Sequence, residues 1–130
     1  MKGVMKQSGV IPVIDNRLVL ITSRRSENWI IPKGYVEKGL SAAESAAKEA
    51  YEEAGIIGRV HHEVAGKYRY RKYGKLFLVS VYPLFIEKML DEWEEKHCRH
   101  RVLVTPAEAI NMICHENLRR IISSYFRRSR

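Results

Sequence analysis

Glu49, Glu52 and Glu53 are the residues of this sequence whose type and spacing most directly offer chemistry. On a helix, offsets of three and four put all three carboxylates on one face, within a turn of each other. Like charges so placed repel and weaken an isolated helix, so something must offset the cost. A divalent cation does so, because hard Mg2+ takes carboxylate oxygens and keeps waters for a phosphate ligand. The alternative is a solvated acidic face balanced by Lys48. The opposite face is mostly alanine (Ala43, Ala46, Ala47, Ala50, Ala54), which lets the helix backbone approach a sheet closely.

Other reactive groups offer less. Cys98 and Cys114 are too few for a disulfide framework, suit a reducing compartment and read as packing or surface residues rather than nucleophiles. His61-His62 and Cys98-x-His100 lack companion ligands at zinc spacing. Cations are plentiful: Lys and Arg total 23 against 15 Asp and Glu, a formal charge of +8. Such a field favours nucleic acid, acidic lipid or a small ligand with many phosphates, the bland alternative being a solubilising surface. Arg24 and Arg25 can grip phosphate by a bidentate fork, Lys33 lies in a glycine-flanked loop, and Arg69, Arg71, Lys72 and Lys75 crowd one basic stretch.

The elements that must hold these groups can be read from pattern. The 130 residues, 45% hydrophobic and 29% charged, fit one globular domain over 1–130. Ser8 to Ile14 predicts a strand, Asp15-Asn16 a turn and Leu18 to Ile21 the return strand. Trp29 to Ile31 is a short apolar run stopped by Pro32, and Lys33 to Gly39 predicts a loop. Ser41 with Glu44 forms a capping-box pattern for a helix ending at Ala54, with Gly55 as its left-handed cap. Strands are expected over 56–60, 76–86 and 102–104. Alternation in the 67–75 hairpin puts Arg69 and Arg71 on one face and Tyr68 and Tyr70 on the other. Thr105-Pro106-Ala107-Glu108 starts a second helix, and Leu118, Ile121, Ile122, Tyr125 and Phe126 make one apolar helical stripe. The fold class is α+β. No apolar run reaches the roughly 20 residues of a membrane helix and the N-terminus has no signal-peptide core, so a cytoplasmic protein is expected.

From Gly34 to Ile56 the chain reads GYVEKGLSAAESAAKEAYEEAGI. It resembles the Nudix box, G-x5-E-x7-R-E-U-x-E-E-x-G-U with U bulky and aliphatic. Gly34, Glu49, Glu52, Glu53, Gly55 and Ile56 match in register. Leu40 stands where the first Glu is expected, Lys48 where the Arg is, and Ala50 is a small version of the aliphatic. Leu40 cannot bind a metal or a proton, so that Glu's role is absent or falls to Glu37 or Glu44. Leu40 is expected to pack beneath the loop where it enters the helix. Ser23-Arg24-Arg25, Trp29-Ile30-Ile31-Pro32, Asp91-Glu92-Trp93-Glu94 and the basic Arg99-His100-Arg101 are similar to the diphosphoinositol polyphosphate phosphohydrolase branch. Lys33-Gly34 departs from that branch's run of glycines, and Gln7-Ser8 from its basic pair.

The resemblance implies an α/β/α sandwich with a mixed sheet between helices. It implies a hydrolase of phosphoric anhydrides that uses Mg2+ or Mn2+, held by Glu49, Glu52, Glu53 and the Gly34 carbonyl, with Glu49 or Glu53 as base. Arg24, Arg25, Lys33, Arg69, Arg71 and Lys75 would cradle the substrate. The substrate expected is a highly anionic small molecule, such as a diphosphoinositol or diadenosine polyphosphate. Nucleotide-sugar or oxidised-nucleotide hydrolysis is the alternative within the class, and a non-catalytic module binding a phosphometabolite or RNA the alternative outside it. The partner expected is therefore a small polyphosphate, nucleic acid a lesser one and a membrane none; monomer and homodimer both stay open.

Overall fold

A computed structural model describes residues 3–128. Its strands are β1 (Val4–Ile14), β2 (Arg17–Thr22), β3 (Trp29–Ile30), β4 (Lys33–Tyr35), β5 (Ile56–Val60), β6 (Gly66–Lys72), β7 (Lys75–Met89) and β8 (Arg101–Val104). Its helices are α1 (Ala42–Ala54), α2 (Pro106–Met112) and α3 (Glu116–Arg128). The eight strands form one mixed sheet, along which β3, β2, β1, β7 and β5 are neighbours. β1 runs parallel to β7, from Val4 beside Leu76 to Val13 beside Phe85, and the other pairings are antiparallel. No helix among the described residues is long and apolar enough to cross a membrane.

Alternation along the central strands builds two cores. Val10, Val19, Ile21, Tyr82, Leu84 and Ile86 pack against the alanine face of α1. Ile11, Val13, Leu18, Leu20, Val79 and Val81 pack against Ala109 and Ile113 and the stripe Leu118, Ile121, Ile122 and Phe126. The molecule is thus of α+β class, as its sequence pattern predicts, and an α/β/α sandwich, as the resemblance implies. Both strands called from Ser8 and Leu76 begin earlier, at Val4 and Lys75. The expected loop from Lys33 begins instead as β4, because its register on β1 pairs Gly34 with Ser8 and Lys33 with Gly9. Three residues are too few to show a period, so only the tertiary pairing reveals it.

Helix ends follow their sequence signals. Ser41 Oγ accepts from Glu44 N at 3.0 Å and Glu44 returns the bond to Ser41 N at 2.8 Å; Thr105 and Glu108 do the same for α2. Both tight hairpin turns use two successive left-handed residues, Asp15-Asn16 and Tyr73-Gly74, which matches the strand twist.

The C-terminus of α1 is closed by distant residues. Gly55, at φ +64, donates its N–H to Ala50 and Tyr51. Glu95 N donates to Glu52 O at 3.1 Å, Trp93 Nε1 to Glu53 O at 2.9 Å and Arg101 Nη1 to Ala54 O at 2.8 Å. The orphan carbonyls of the last turn are therefore met by the β7–β8 connection and the first residue of β8. A Cβ on Gly55 would stand 2.9 Å from the Trp93 side chain and force a side chain into left-handed backbone. Gly55→Ala is expected to lower stability by about 2 kcal/mol or more in denaturant unfolding; a loss under about 0.5 kcal/mol, the range of a plain surface change, would show that the Trp93 contact yields freely.

Candidate active site

The carboxylates of α1 differ in setting although the sequence spaces them alike. Glu53 is buried, Glu49 and Glu52 are half-buried. Glu53 Oε1 accepts from the backbone N–H of Lys33 at 3.2 Å, and its Oε2 lies 3.5 Å from Arg99 Nη2. Glu49 stands one turn before Glu53 on the same helix face. Its carboxyl fills the space above Gly34, where an added Cβ would overlap it. Gly34 is therefore needed for close approach, not for a special backbone angle.

Burial is the first cause of the titration shifts of Glu53, Glu49 and Lys33. It pushes Glu53 up to about 8 against the opposing pull of Arg99 and of the Lys33 N–H. It raises Glu49 as well, with Glu52 adding repulsion. On the neighbouring strand, burial lowers Lys33, which the nearby Glu53 partly offsets.

The box departures have a structural counterpart. Leu40 is 38% exposed, so the expectation that it packs beneath the loop is corrected: the turn closed by Leu40 N on Glu37 O leaves its side chain at the surface. Lys48 pairs instead with Glu37, Nζ to Oε2 2.9 Å. Glu44, the other candidate substitute, is occupied with the Ser41 cap.

The expected substrate cations separate into two groups. Lys33 points away from α1, its Nζ donating to Tyr70 Oη (3.1 Å) and Gln7 Oε1 (3.4 Å) and lying 5.0 Å from the Tyr70 ring centre. It enters a cavity of about 420 Å3 walled by Trp29, Ile30, Tyr68, Tyr70, Lys72, His115 and Leu118. Arg24 and Arg25 are exposed in the connection before β3, where Arg25 Nη1 donates to Tyr73 Oη at 3.0 Å. Lys75 pairs with Lys72 and so shares its face, but does not line the cavity. Arg69 and Arg71 face the other way, exposed on the opposite side of β6, because the alternation that turns Tyr68 and Tyr70 inward turns them out.

Of the cations in the basic stretch, Lys72 lines this cavity and Arg69 and Arg71 do not, and the even-numbered register of Lys72 with Tyr70 was the signal for it. Trp29, Tyr68, Tyr70 and His115 come together only through the pairing of β6 with β7 and the packing of α3. The contact of Arg99 with Glu53, and of Glu95 with Arg99, has no local signal in the sequence. A larger cavity of about 620 Å3, near Trp93 and His97, sits behind Arg99. Its cations are engaged: Lys96 with Asp91 O and Glu92, and Arg101 with Ala54 O.

The model of the NUDIX domain matches residues 5–123. This chain belongs to the Nudix family. Nudix hydrolase 17, mitochondrial, of Arabidopsis thaliana is 31% identical over 94 residues, which cover 71% of this chain and 51% of that protein. Human diphosphoinositol polyphosphate phosphohydrolase 3-alpha is 30% identical over 105 residues, covering 78% and 63%. The chain thus spans about half the length of several curated relatives it matches. The crystal structure of a C. elegans Ap4A hydrolase superposes with a TM-score of 0.79 over 98% of this chain and 99% of that one, at 19% identity, which speaks for the fold.

A divalent cation implied by the family fits this Nudix protein in donor chemistry. Among the described residues no three His, Cys, Asp or Glu side chains form a ready-made cage. Mg2+ seldom uses one; it binds through one or two carboxylates and completes its shell with water and substrate phosphate. Glu49 and Glu53, crowded oxygen donors raised by burial, with the Gly34 cradle beside them, suit that mode.

A glutamate with a folded-state pKa near 8, against 4.5 ordinarily, holds its proton more tightly folded than unfolded. The stability this gives is full below about pH 4.5 and is lost as pH rises through about 8. Metal-free protein is therefore expected to lose melting temperature between about pH 5 and 8, and Glu53→Gln to flatten the curve. Thermal scans with chelator check this; a wild-type curve parallel to that of Glu53→Gln would contradict the burial of the charge.

Proposed function

We propose that this chain, as one Nudix domain over 1–130, is a Mg2+-dependent pyrophosphohydrolase that cleaves a phosphoanhydride in a highly anionic small molecule, first a diadenosine polyphosphate. The observation that carries the reading is one strand with two uses. The N–H of Lys33 holds Glu53 on the α1 side of β4, and its ammonium enters the aromatic cavity on the other. A flat heterocycle suits walls of Trp29, Tyr68, Tyr70 and His115, and Lys33 and Lys72 suit phosphates. A diphosphoinositol polyphosphate is the second reading, favoured by the formal charge of +8 and by the human relative named for that substrate.

Glu49, Glu52, Glu53 and the Gly34 carbonyl would hold the metal. When bound, the ion neutralises phosphate charge and lowers the pKa of a coordinated water. The residues of the chain do the rest. Glu49 or Glu53 accepts the proton of the attacking water, as a carboxylate raised toward neutrality by burial does more readily than an exposed one. Lys33, fixed by Gln7 and Tyr70, orients the phosphate chain and offsets the charge that builds on it. Tyr70 stacks on Phe77 at 4.8 Å with rings 6° from parallel, so the wall is rigid before a ligand arrives.

Glu53→Gln is expected to lower turnover at saturating Mg2+ at least about a hundredfold, about 2.7 kcal/mol of barrier. Gly34→Ala tests the cradle separately. The added methyl meets only the movable end of Glu49, so the fold should survive while turnover falls at least about tenfold. Across a substrate panel, kcat/KM should favour a diadenosine polyphosphate over ADP-ribose and sugar nucleotides and fall as salt rises. Lys72→Ala should raise KM, and Arg69→Ala with Arg71→Ala should leave it unchanged. Preference for a sugar nucleotide with no salt response would overturn the substrate reading, and hydrolysis untouched by Glu53→Gln the site itself.

A further inference from the structure

Arg99 lies outside the box, forty-six positions beyond Glu53 in sequence, and its side chain is only 5% exposed. Its Nε and Nη2 donate to Glu95 Oε1 at 3.0 and 2.8 Å, and its Nη1 donates to Thr22 O at 2.9 Å. Nη2 also reaches Glu53 Oε2 at 3.5 Å. All three nitrogens are thus committed to groups of the protein. The loop that carries Glu95 is itself pinned to α1, through Glu95 N on Glu52 O.

We propose that Arg99 is a positioning residue, which with Glu95 fixes the Glu53 carboxylate so that the acidic face of α1 presents a single arrangement to a divalent cation. The inference rests on the metal-dependent reading above. Glu53 has its two oxygens gripped from separate directions, Oε1 by the Lys33 N–H and Oε2 by Arg99. Glu49, one turn earlier on the same face, has its carboxyl over Gly34 of the strand whose Lys33 N–H holds Glu53. Arg99 is anchored to β2 and to Glu95 more closely than to Glu53, so it serves as a fixed post. Glu95, 2.8 Å from the guanidinium, offsets part of the positive charge that an incoming cation would meet. A phosphate-gripping arginine would instead leave part of its fork free toward the cavity.

The test is the double variant Glu95→Gln/Arg99→Met, which removes one charge of each sign. Mn2+ binding to the substrate-free protein is read by electron paramagnetic resonance, with kcat, KM and melting temperature measured alongside. The expected result is Mn2+ affinity weakened about tenfold and kcat lowered about tenfold, with KM within about threefold of wild type. Arg99→Lys, which keeps the charge and loses the fork, should recover only part of the affinity. If the double variant does not fold, Glu95→Gln alone frees the fork and should weaken Mn2+ binding in the same direction. A raised KM with unchanged kcat and Mn2+ affinity would overturn the proposal and make Arg99 a substrate ligand; tighter Mn2+ binding would make it a competitor for Glu53. Wild-type protein that binds Mn2+ in this Arg99-dependent way yet hydrolyses no pyrophosphate would sink the functional reading and leave the positioning role standing.

Discussion

A carboxylate placed at the inner side of a helix end costs free energy unless each oxygen finds a donor and the charge a partner. Glu53 meets part of that demand with groups from separate parts of the chain: the Lys33 N–H from β4 and the Arg99 guanidinium from the β7–β8 connection. Neither can be supplied until the sheet has formed. The same connection, through Glu95 and Trp93, and the first residue of β8, Arg101, cap the end of α1, so the helix that carries the acids is finished by the segment that orients them. Satisfying one buried charge thereby ties β2, β4, α1 and the segment before β8 into a single unit.

The two-residue period of a strand divides labour across that unit. Gly34 faces α1 and makes room for Glu49, while Lys33 beside it faces the cavity on the other side of the sheet. The parallel pairing of β1 with β7 then sets Gln7 where it can accept both from Lys33 and, at 2.8 Å, from Tyr70 Oη. A shift of one residue in any of these registers would exchange the faces and separate the ammonium from the aromatic wall.

What the sequence discloses is what depends on neighbours within a few positions. Ser41 and Glu44, Thr105 and Pro106, Gly55, and the helical stripe from Leu118 to Phe126 are local devices, and each stands where its spacing predicts. The Glu triplet is local too. The facing of side chains across the sheet follows from period two, which separated Arg69 and Arg71 from Tyr68 and Tyr70 correctly but did not say which face holds the cavity. That depends on α3 and on the segment from Ser23 to Ile30, both far away in sequence. That Arg99 is held by Glu95 and reaches Glu53 depends likewise on distant packing: the basic run Arg99-His100-Arg101 does not disclose which of its members is buried.

The two departures from the box show how such a frame tolerates change. An exposed pair such as Lys48 with Glu37, at 46% and 41% exposure, is screened by solvent and contributes little, so stability alone does not explain its presence. Its position does. Glu37 N also donates to the buried Ser45 Oγ at 2.9 Å, and Glu37 O accepts from Leu40 N at 3.1 Å. Backbone and side chain of Glu37 thus pin the loop to α1 at two points, one turn of helix apart. With the loop held at residue 37, nothing is asked of residue 40, and an exposed leucine can stand there. The strand just before the loop stays seated, and Gly34 keeps the close approach to Glu49 on which the acidic face depends.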